Sequence, residues 1–270
     1  MPLNYIGVFD SGLGGLTAVK ELMKIMPDEP IVYFGDTGRV PYGSKSNETI
    51  IKYTKSDINF LNTFPLKMVI IACGTASTIA LPYVEKSLDI PIIGVASAAA
   101  KEAVKTTKNK KIGVIGTEGS IRSGVYEKMI SELDKSIETV SVSCPLFVPL
   151  VETGHTTGEI ARLVAKEYLC DIKSAGVDTL ILGCTHYPLL KETIGEVMGE
   201  DVALIDPGKV TANFVKDYLI EKDLICKDKT DDRYKFFVSD CPDDFEVLGS
   251  KFLEQKIPGG AKKIDIEKYM

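Results

Sequence analysis

Short runs rich in Ile and Val alternate with amphipathic stretches of helical length along most of the 270-residue chain. The runs have the composition of buried β-strands, and in the stretches between them apolar residues recur at helical spacing, as at Leu16, Val19 and Leu22. Parallel strands need a long crossover, usually a helix, to join them. The alternation therefore predicts an α/β fold with mainly parallel sheets, built from repeated βαβ units.

Strands and helices can be placed on this pattern. The predicted strands are Tyr5–Phe9, Pro30–Gly35, Met68–Ala72, Ile92–Val95, Lys111–Ile115, Ser136–Ser143, Thr179–Leu182, Ala203–Ile205 and Tyr234–Val238, with a strand-like KKIDI near the end of the chain. The predicted helical stretches are Gly15–Ile25, Lys45–Leu61, Thr75–Leu88, Ala96–Lys105, Ser120–Glu132, Gly158–Ala175, Lys191–Val197 and Val210–Leu219.

Three strand signals recur in the same order, between 106 and 112 residues further along the chain. YIGVFD from Tyr5 returns as KIGVIG, MVIIAC from Met68 as TLILGC, and DIPIIG from Asp89 as DVALID. A repeat of this length indicates two equivalent α/β units. We predict two pseudosymmetric α/β domains with the active site in the cleft between them. Residues 1–97 with 208–270 form the first domain, and residues 98–207 form the second.

Composition excludes several classes of function. The formal net charge of −6 argues against nucleic-acid or anionic-membrane partners. No apolar run has the length of a membrane span, and the first residues carry no basic segment typical of a signal peptide, so a cytoplasmic location is expected. The six cysteines lack zinc-ribbon spacing, and Gly12-Leu13-Gly14-Gly15 lacks the full dinucleotide-binding pattern. We expect free thiols, no metal and no cofactor.

Ligands of parallel α/β sheets bind beyond the carboxyl ends of the strands. The repeat places one thiol at the same strand end of each unit, Cys73 in the first and Cys184 in the second. Two thiols on opposite sides of a small molecule are suited to two-base proton transfer, in which one removes a proton from carbon and the other returns one to the opposite face. Asp10 and His186 are candidates to share protons with them.

The motifs at these strand ends carry a resemblance. They are IGVFDSGLGGLT from Ile6, YFGDTGRVPYGSKS from Tyr33, ACGTAS from Ala72, PLFVPLVETG from Pro145 and LGCTHYPLL from Leu182. With them the chain resembles the glutamate racemases of the cofactor-independent aspartate/glutamate racemase superfamily. The resemblance implies racemisation of L- and D-glutamate without a cofactor, D-glutamate supply for peptidoglycan in the bacterial cell wall, and a small-molecule partner; a homodimer is compatible with it.

The resemblance also implies roles for individual residues. Cys73 would be the base for D-glutamate and Cys184 the base for L-glutamate, assisted by Asp10 and His186. The implied substrate-binding residues are Asp10, Ser11, Tyr42, Gly43, Gly74, Thr75, Thr117, Ser120, Thr185 and His186, and two further acidic positions that match are Asp36 and Glu152.

One position departs from the family pattern, because Gly74 stands where Asn usually follows the first cysteine. Unless a water molecule or a backbone group replaces that amide, a polar group of the substrate is left without a partner, at a cost of about 1–3 kcal/mol in binding. We expect the departure to affect substrate affinity more than the type of reaction.

Two alternatives to a racemase stay open at this point. Cys184 with His186 could act as a nucleophile in acyl or amide hydrolysis. A two-lobed amino-acid-binding module would bind its ligand and close without exchanging the α-proton.

Overall fold

The computed structural model describes residues 4–227 and 233–270. Its strands are β1 (Tyr5–Asp10), β2 (Ile31–Gly35), β3 (Leu66–Ile71), β4 (Ile92–Gly94), β5 (Lys111–Gly116), β6 (Glu138–Ser143), β7 (Thr179–Leu182), β8 (Ala203–Ile205), β9 (Tyr234–Val238) and β10 (Ala261–Lys263). Every predicted strand is present.

The helices lie between the strands. They are α1 (Leu16–Ile25), α2 (Asn47–Leu61), α3 (Gly74–Ile79), α4 (Leu81–Val84), α5 (Val95–Thr106), α6 (Glu118–Arg122), α7 (Val125–Leu133), α8 (Phe147–Glu152), α9 (Gly158–Ser174), α10 (Lys191–Met198), α11 (Pro207–Glu221) and α12 (Pro242–Leu253). Short 3₁₀ helices occupy Tyr42–Ser44, Tyr187–Leu190 and Ile266–Tyr269.

Two parallel sheets confirm the predicted fold class. The first has the strand order β10-β9-β2-β1-β3-β4 and the second has β6-β5-β7-β8. The order β2-β1-β3-β4 matches β6-β5-β7-β8, with β1 equivalent to β5 and β3 to β7. All paired strands are parallel. Strands β9 and β10 extend the first sheet alone. The domain boundaries given above stay a prediction.

The predicted helices differ from the observed ones at two breaks. The stretch predicted over Ser120–Glu132 is divided into α6 and α7 at Gly124, whose φ of 62° lies in the left-handed region that favours glycine. The stretch predicted over Thr75–Leu88 is divided into α3 and α4, and Pro82 lies in the first turn of α4, where its missing N–H leaves no helical bond unmade.

One buried apolar cluster runs from the first sheet into the second. It joins Ile6 and Val8 of β1 to Ile115 of β5 and Leu180 of β7. Helix α11 packs against both α1 and α5, so it links helices on the two sheets. The two α/β units therefore share a continuous core. Among the described residues, no helix combines the length and the apolar character needed to cross a bilayer.

Candidate active site

The carboxyl ends of six strands surround one cavity of about 330 Å³. The lining segments follow β1, β2 and β3 in the first sheet and β5, β6 and β7 in the second, as expected for ligand sites of parallel α/β sheets. The predicted site residues that line it are Ser11, Tyr42, Gly43, Cys73, Gly74, Thr75, Thr117, Glu152, Cys184, Thr185 and His186. The structure thus brings both thiols to the same cavity.

Cys73 caps the N-terminus of α3 and is almost completely buried. Its sulfur lies 3.4 Å from the hydroxyl oxygen of Ser11 and accepts a 3.5 Å hydrogen bond from the backbone N–H of Ala76. Burial, together with the nearby charge of Asp10, raises the pKa of the Cys73 thiol to about 12. Cys73 therefore retains its proton at neutral pH and is poised as a proton donor.

Cys184 has a different environment, because a histidine stands beside it. Its sulfur lies 4.0 Å from Nδ1 of His186, and Nε2 of that ring lies 3.0 Å from Oε1 of Glu152. Burial acts to lower the pKa of His186, but its contacts with Cys184 and Glu152 and the charge of Asp10 outweigh burial and raise it to about 10. His186 is therefore an imidazolium at neutral pH, and it stands beside the Cys184 sulfur.

Asp10 lies behind the cavity wall and is completely buried. Its carboxyl group accepts hydrogen bonds from the N–H of Gly12, at 2.9 Å, and from the hydroxyl of Thr185, at 3.4 Å. Burial raises the pKa of Asp10, although the neighbouring His186 and the Gly12 N–H oppose this effect. Asp10 thus connects the loop after β1 with Thr185, the residue after Cys184.

Three hydroxyl groups connect the two sheets at the cavity. Oγ1 of Thr75, after β3, lies 2.9 Å from Oγ1 of Thr117, after β5. Oγ of Ser120 lies 3.0 Å from the Thr117 hydroxyl and 3.4 Å from that of Thr75. Ser120 itself is fully buried behind this contact. These three hydroxyl groups can form hydrogen bonds with a carboxylate or amino group of a ligand.

Asp36 does not reach the cavity wall. It is fully buried in a cluster with Arg39, Tyr42 and Asp57, where its Oδ2 accepts hydrogen bonds from Arg39 Nε at 2.7 Å and from the Tyr42 hydroxyl at 2.5 Å. Tyr42 lines the cavity, but its hydroxyl is engaged by these carboxyl groups. A substrate-binding role for Asp36 or Tyr42 stays a prediction.

Gly74 permits a close approach of the two sheets. A Cβ atom built on this residue would lie 2.4 Å from the carbonyl oxygen of Gly183, the residue before Cys184. This separation is shorter than real Cβ contacts, so an asparagine side chain would require the two strand ends to move apart. The geometry thus accounts for a glycine where the family pattern has Asn.

Several lining residues are not among the predicted catalytic and substrate-binding residues. They are Gly12, Leu13, Val40, Pro41, Ser44, Glu118, Cys144, Pro145, Val148 and Pro149. Cys144 is a strand-end residue after β6, but it has no equivalent cysteine in the repeat. Burial raises the pKa of the Cys144 thiol, which therefore stays protonated. Among residues 4–227 and 233–270, no group of three or more His, Cys, Asp or Glu side chains is arranged to hold a metal ion.

Known proteins are similar to this chain in sequence and in fold over almost its whole length. A glutamate racemase of Geobacter metallireducens is 46% identical over 267 residues, covering 99% of this chain and 98% of its own. The structure of a Francisella tularensis glutamate racemase in complex with D-glutamate has a TM-score of 0.92 at 39% identity, with full coverage of both chains.

A Bacillus anthracis glutamate racemase isoform has the same TM-score of 0.92 at 37% identity, with 98% of each chain covered. The sequence profile of the Asp/Glu/Hydantoin racemase family matches residues 17–215. The resemblance read from the strand-end motifs is thereby confirmed, and the chain belongs to the Asp/Glu/Hydantoin racemase family.

Proposed function

We propose that the chain interconverts L- and D-glutamate by two-base proton transfer at Cα, with Cys184 and Cys73 as the two bases and no cofactor. The observation that carries the proposal is the placement of one thiol at the end of each of two equivalent strands, β3 and β7, in a single cavity. Glutamate is the substrate proposed because the similar Francisella tularensis protein was solved with D-glutamate bound.

The proposed reaction has two proton transfers. Starting from L-glutamate, the Cys184 thiolate removes the α-proton, and the electron pair of the broken C–H bond stays on the substrate. The Cys73 thiol then delivers its proton to the opposite face of Cα, which yields D-glutamate, a Cys184 thiol and a Cys73 thiolate. The reverse sequence converts D-glutamate to L-glutamate.

The surrounding residues support this sequence. The His186 imidazolium, held by Glu152, stabilises the negative charge on Cys184. Ser11 lies against the Cys73 sulfur and can donate to its thiolate. The hydroxyls of Thr75, Thr117 and Thr185 are available to the carboxylate and amino groups of the substrate.

The cellular part of the proposal rests on the family alone. We place the enzyme in the bacterial cytoplasm, where its D-glutamate would supply peptidoglycan synthesis. A homodimer and the absence of nucleic-acid partners belong to the same set of expectations. Size-exclusion chromatography with light scattering measures the oligomeric state directly.

One experiment tests the reaction. The protein is incubated with L- and with D-glutamate in deuterated water, while NMR follows exchange of the α-proton and circular dichroism follows chirality. We expect both enantiomers to exchange and each sample to lose its optical signal. A protein that produces neither signal is not a racemase of this type.

The same samples distinguish the alternatives. A two-lobed binding module would bind glutamate, detected by calorimetry, without exchange. A hydrolase using Cys184 and His186, whose sulfur and Nδ1 are 4.0 Å apart, would trap an acyl-enzyme visible by mass spectrometry with a thioester or ester substrate.

A further inference from the structure

A buried ionic cluster lies behind one wall of the active-site cavity. Asp36 and Asp57 are fully buried, and the side chain of Arg39 is only 9% exposed. The cluster contacts the segment Val40–Ser44, which lines the cavity, through Arg39 immediately before the segment and through Tyr42 within it. Asp57 belongs to α2 and does not touch the cavity.

The contacts define a fixed arrangement. Arg39 donates to Asp36 Oδ2 from Nε at 2.7 Å, and to Asp57 Oδ1 from Nη2 at 2.8 Å. The Tyr42 oxygen lies 2.5 Å from Asp36 Oδ2 and 2.9 Å from Asp57 Oδ2. The Tyr53 ring lies under the guanidinium, 4.2 Å away, and Glu267 is the other acid near it, with 3.8 Å between Oε1 and Nη1.

If both carboxyl groups were ionised, the cluster would have one proton too few for all its contacts. A phenol carries a single proton, so Tyr42 can donate to only one of its two carboxyl neighbours. Because the contact with Asp36 is the shorter one, we take the Tyr42 hydroxyl to donate its proton to Asp36. The contact with Asp57 then needs a proton on Asp57 Oδ2, donated to the phenol oxygen. Burial and the charge of Asp36 raise the pKa of Asp57 and outweigh the opposing effects of Arg39 and Tyr42, in agreement with this assignment.

The segment held by the cluster also contacts the other sheet. A Cβ atom on Gly43 would lie 2.9 Å from Cβ of Thr117, and one on Gly119 would lie 2.8 Å from the Gly43 carbonyl oxygen. The segment is therefore closely packed against the other sheet at Gly43. A displacement of Tyr42, the neighbouring residue, would change the shape of the cavity wall that both residues line.

We propose that Asp57, protonated and hydrogen-bonded to Tyr42 and Arg39, is a positioning residue that fixes the Val40–Ser44 wall of the active site. The inference rests on the proposed function, because the consequence of losing the wall is weaker binding of glutamate. Asp57 acts through Tyr42 and takes no part in proton transfer.

Two variants of Asp57 test the proposal. Asp57→Asn retains an oxygen to accept from Arg39 and gains an N–H to donate to Tyr42, so it reproduces the protonated acid. We expect its KM to remain within about 3-fold of the parent value. Asp57→Ala removes both contacts, and we expect KM for both enantiomers to rise about 10-fold or more with kcat changed less than about 3-fold.

Thr54→Val is the matched control, because Thr54 is a fully buried residue of the same helix whose hydroxyl has no hydrogen-bond partner among the described residues. It should leave KM and kcat unchanged. Unchanged KM in Asp57→Ala, or equal losses in Asp57→Asn and Asp57→Ala, would overturn the proposal. Far-UV circular dichroism and thermal melting establish that each variant is folded.

Infrared spectroscopy detects the proposed proton on Asp57 independently of enzymatic activity. The parent protein at neutral pH should show the carbonyl stretch of a protonated carboxyl group that is absent from Asp57→Asn, with buried Asp10 contributing equally to both spectra. A difference spectrum without this band contradicts the assignment. If the parent fails to exchange the α-proton, the proposed function fails while the infrared result still decides the state of Asp57.

Discussion

At the scale of single residues, the proposed mechanism gives the two thiols distinct tasks that single variants can separate. In Cys73→Ala, Cys184 can still remove the α-proton of L-glutamate and return deuterium to the same face, but no donor remains on the other side. We expect exchange of L-glutamate alone, and exchange of D-glutamate alone in Cys184→Ala. Racemisation should fall by a factor of about 10³ or more in both, which NMR and circular dichroism measure together.

Cys170→Ala is the control for these variants, because Cys170 is an exposed free cysteine on α9 outside the cavity. It should racemise at the parent rate. Exchange of both enantiomers by either active-site variant would mean that a single base serves both faces, and the two-thiol mechanism would have to be abandoned.

His186 gives a prediction about pH. Its pKa of about 10 means that the imidazolium is present over the neutral range and is lost as the pH rises through that value. Glu152→Gln removes one of the contacts that raise this pKa, so the alkaline fall of kcat/KM should begin at lower pH. Because the Glu152 side chain is 44% exposed, we expect a shift of about one pH unit or less.

The pH–rate profile of Glu196→Gln serves as the comparison, since Glu196 pairs with Arg162 at an exposed position. Its alkaline limb should coincide with that of the parent. If the limb of Glu152→Gln also stays in place, Glu152 does not support the charge on His186.

At the scale of elements, the approach of α3 to the end of β7 depends on Gly74. In Gly74→Ala, the added methyl group would overlap the Gly183 carbonyl oxygen, so the strand ends must separate. We expect kcat/KM to fall about 10-fold or more, and the free energy of unfolding to fall by about 1–3 kcal/mol. Steady-state kinetics and urea denaturation provide the two measurements.

Gly195→Ala on α10 is the matched control. Its nearest neighbour would be Leu204 Cδ1 at 3.7 Å, an ordinary contact. We expect unchanged kinetics and an unfolding free energy about 0.5–1 kcal/mol higher, because alanine favours the helix. Parent-like kinetics in Gly74→Ala would show that the close approach is dispensable.

Most elements of the fold were predictable from the sequence, for a physical reason. Strands that are buried on both faces are continuous apolar runs, and such runs can be recognised in the sequence alone. Helix α8 was not predicted, because FVPLVE is short, apolar and interrupted by Pro149. The break at Gly124 depends on a left-handed backbone conformation that composition alone does not reveal.

The sequence predicted the residues of the candidate site that lie at repeated strand ends, but not the residues that meet only in the folded structure. Cys73 and Cys184 stand at matched strand ends, so aligning the two repeats of the chain identifies both. Arg39 and Asp57 meet only in three dimensions. The available signal was an acid on the apolar face of α2, since Asp57 lies between buried Thr54 and Leu61 at helical spacing. Asp36, by contrast, was selected by the motif but lies in the buried cluster.

At the scale of the whole molecule, the predicted family, fold class and enzyme class, an isomerase acting as an amino-acid racemase, are confirmed by the family match and the related structures. The division into residues 1–97 with 208–270 and residues 98–207 remains our proposal. It agrees with the sheets, because the first takes its strands from both ends of the chain.

The continuous core predicts cooperative unfolding. Because one apolar cluster includes β1, β5 and β7 and α11 bridges helices on the two sheets, we expect a single urea transition by far-UV circular dichroism and tyrosine fluorescence. D-glutamate at 100 times its Kd should raise the unfolding free energy by about 2.7 kcal/mol. Two separate urea transitions, or a folded isolated 98–207 segment, would contradict cooperative unfolding of the whole chain.

The unlike surroundings of Cys73 and Cys184 have a thermodynamic consequence. Enantiomers have equal free energies in water, so the equilibrium constant of their interconversion is one, and kcat/KM must be identical for both directions at every pH. In the proposed mechanism D-glutamate needs the Cys73 thiolate, which is rare at neutral pH because the pKa of Cys73 is raised to about 12, so D-glutamate binds more weakly overall. For equal intrinsic affinities, L-glutamate then has the lower KM and, in the same proportion, the lower kcat. The difference between the thiols is therefore invisible at equilibrium and in dilute substrate, and it appears only at saturation.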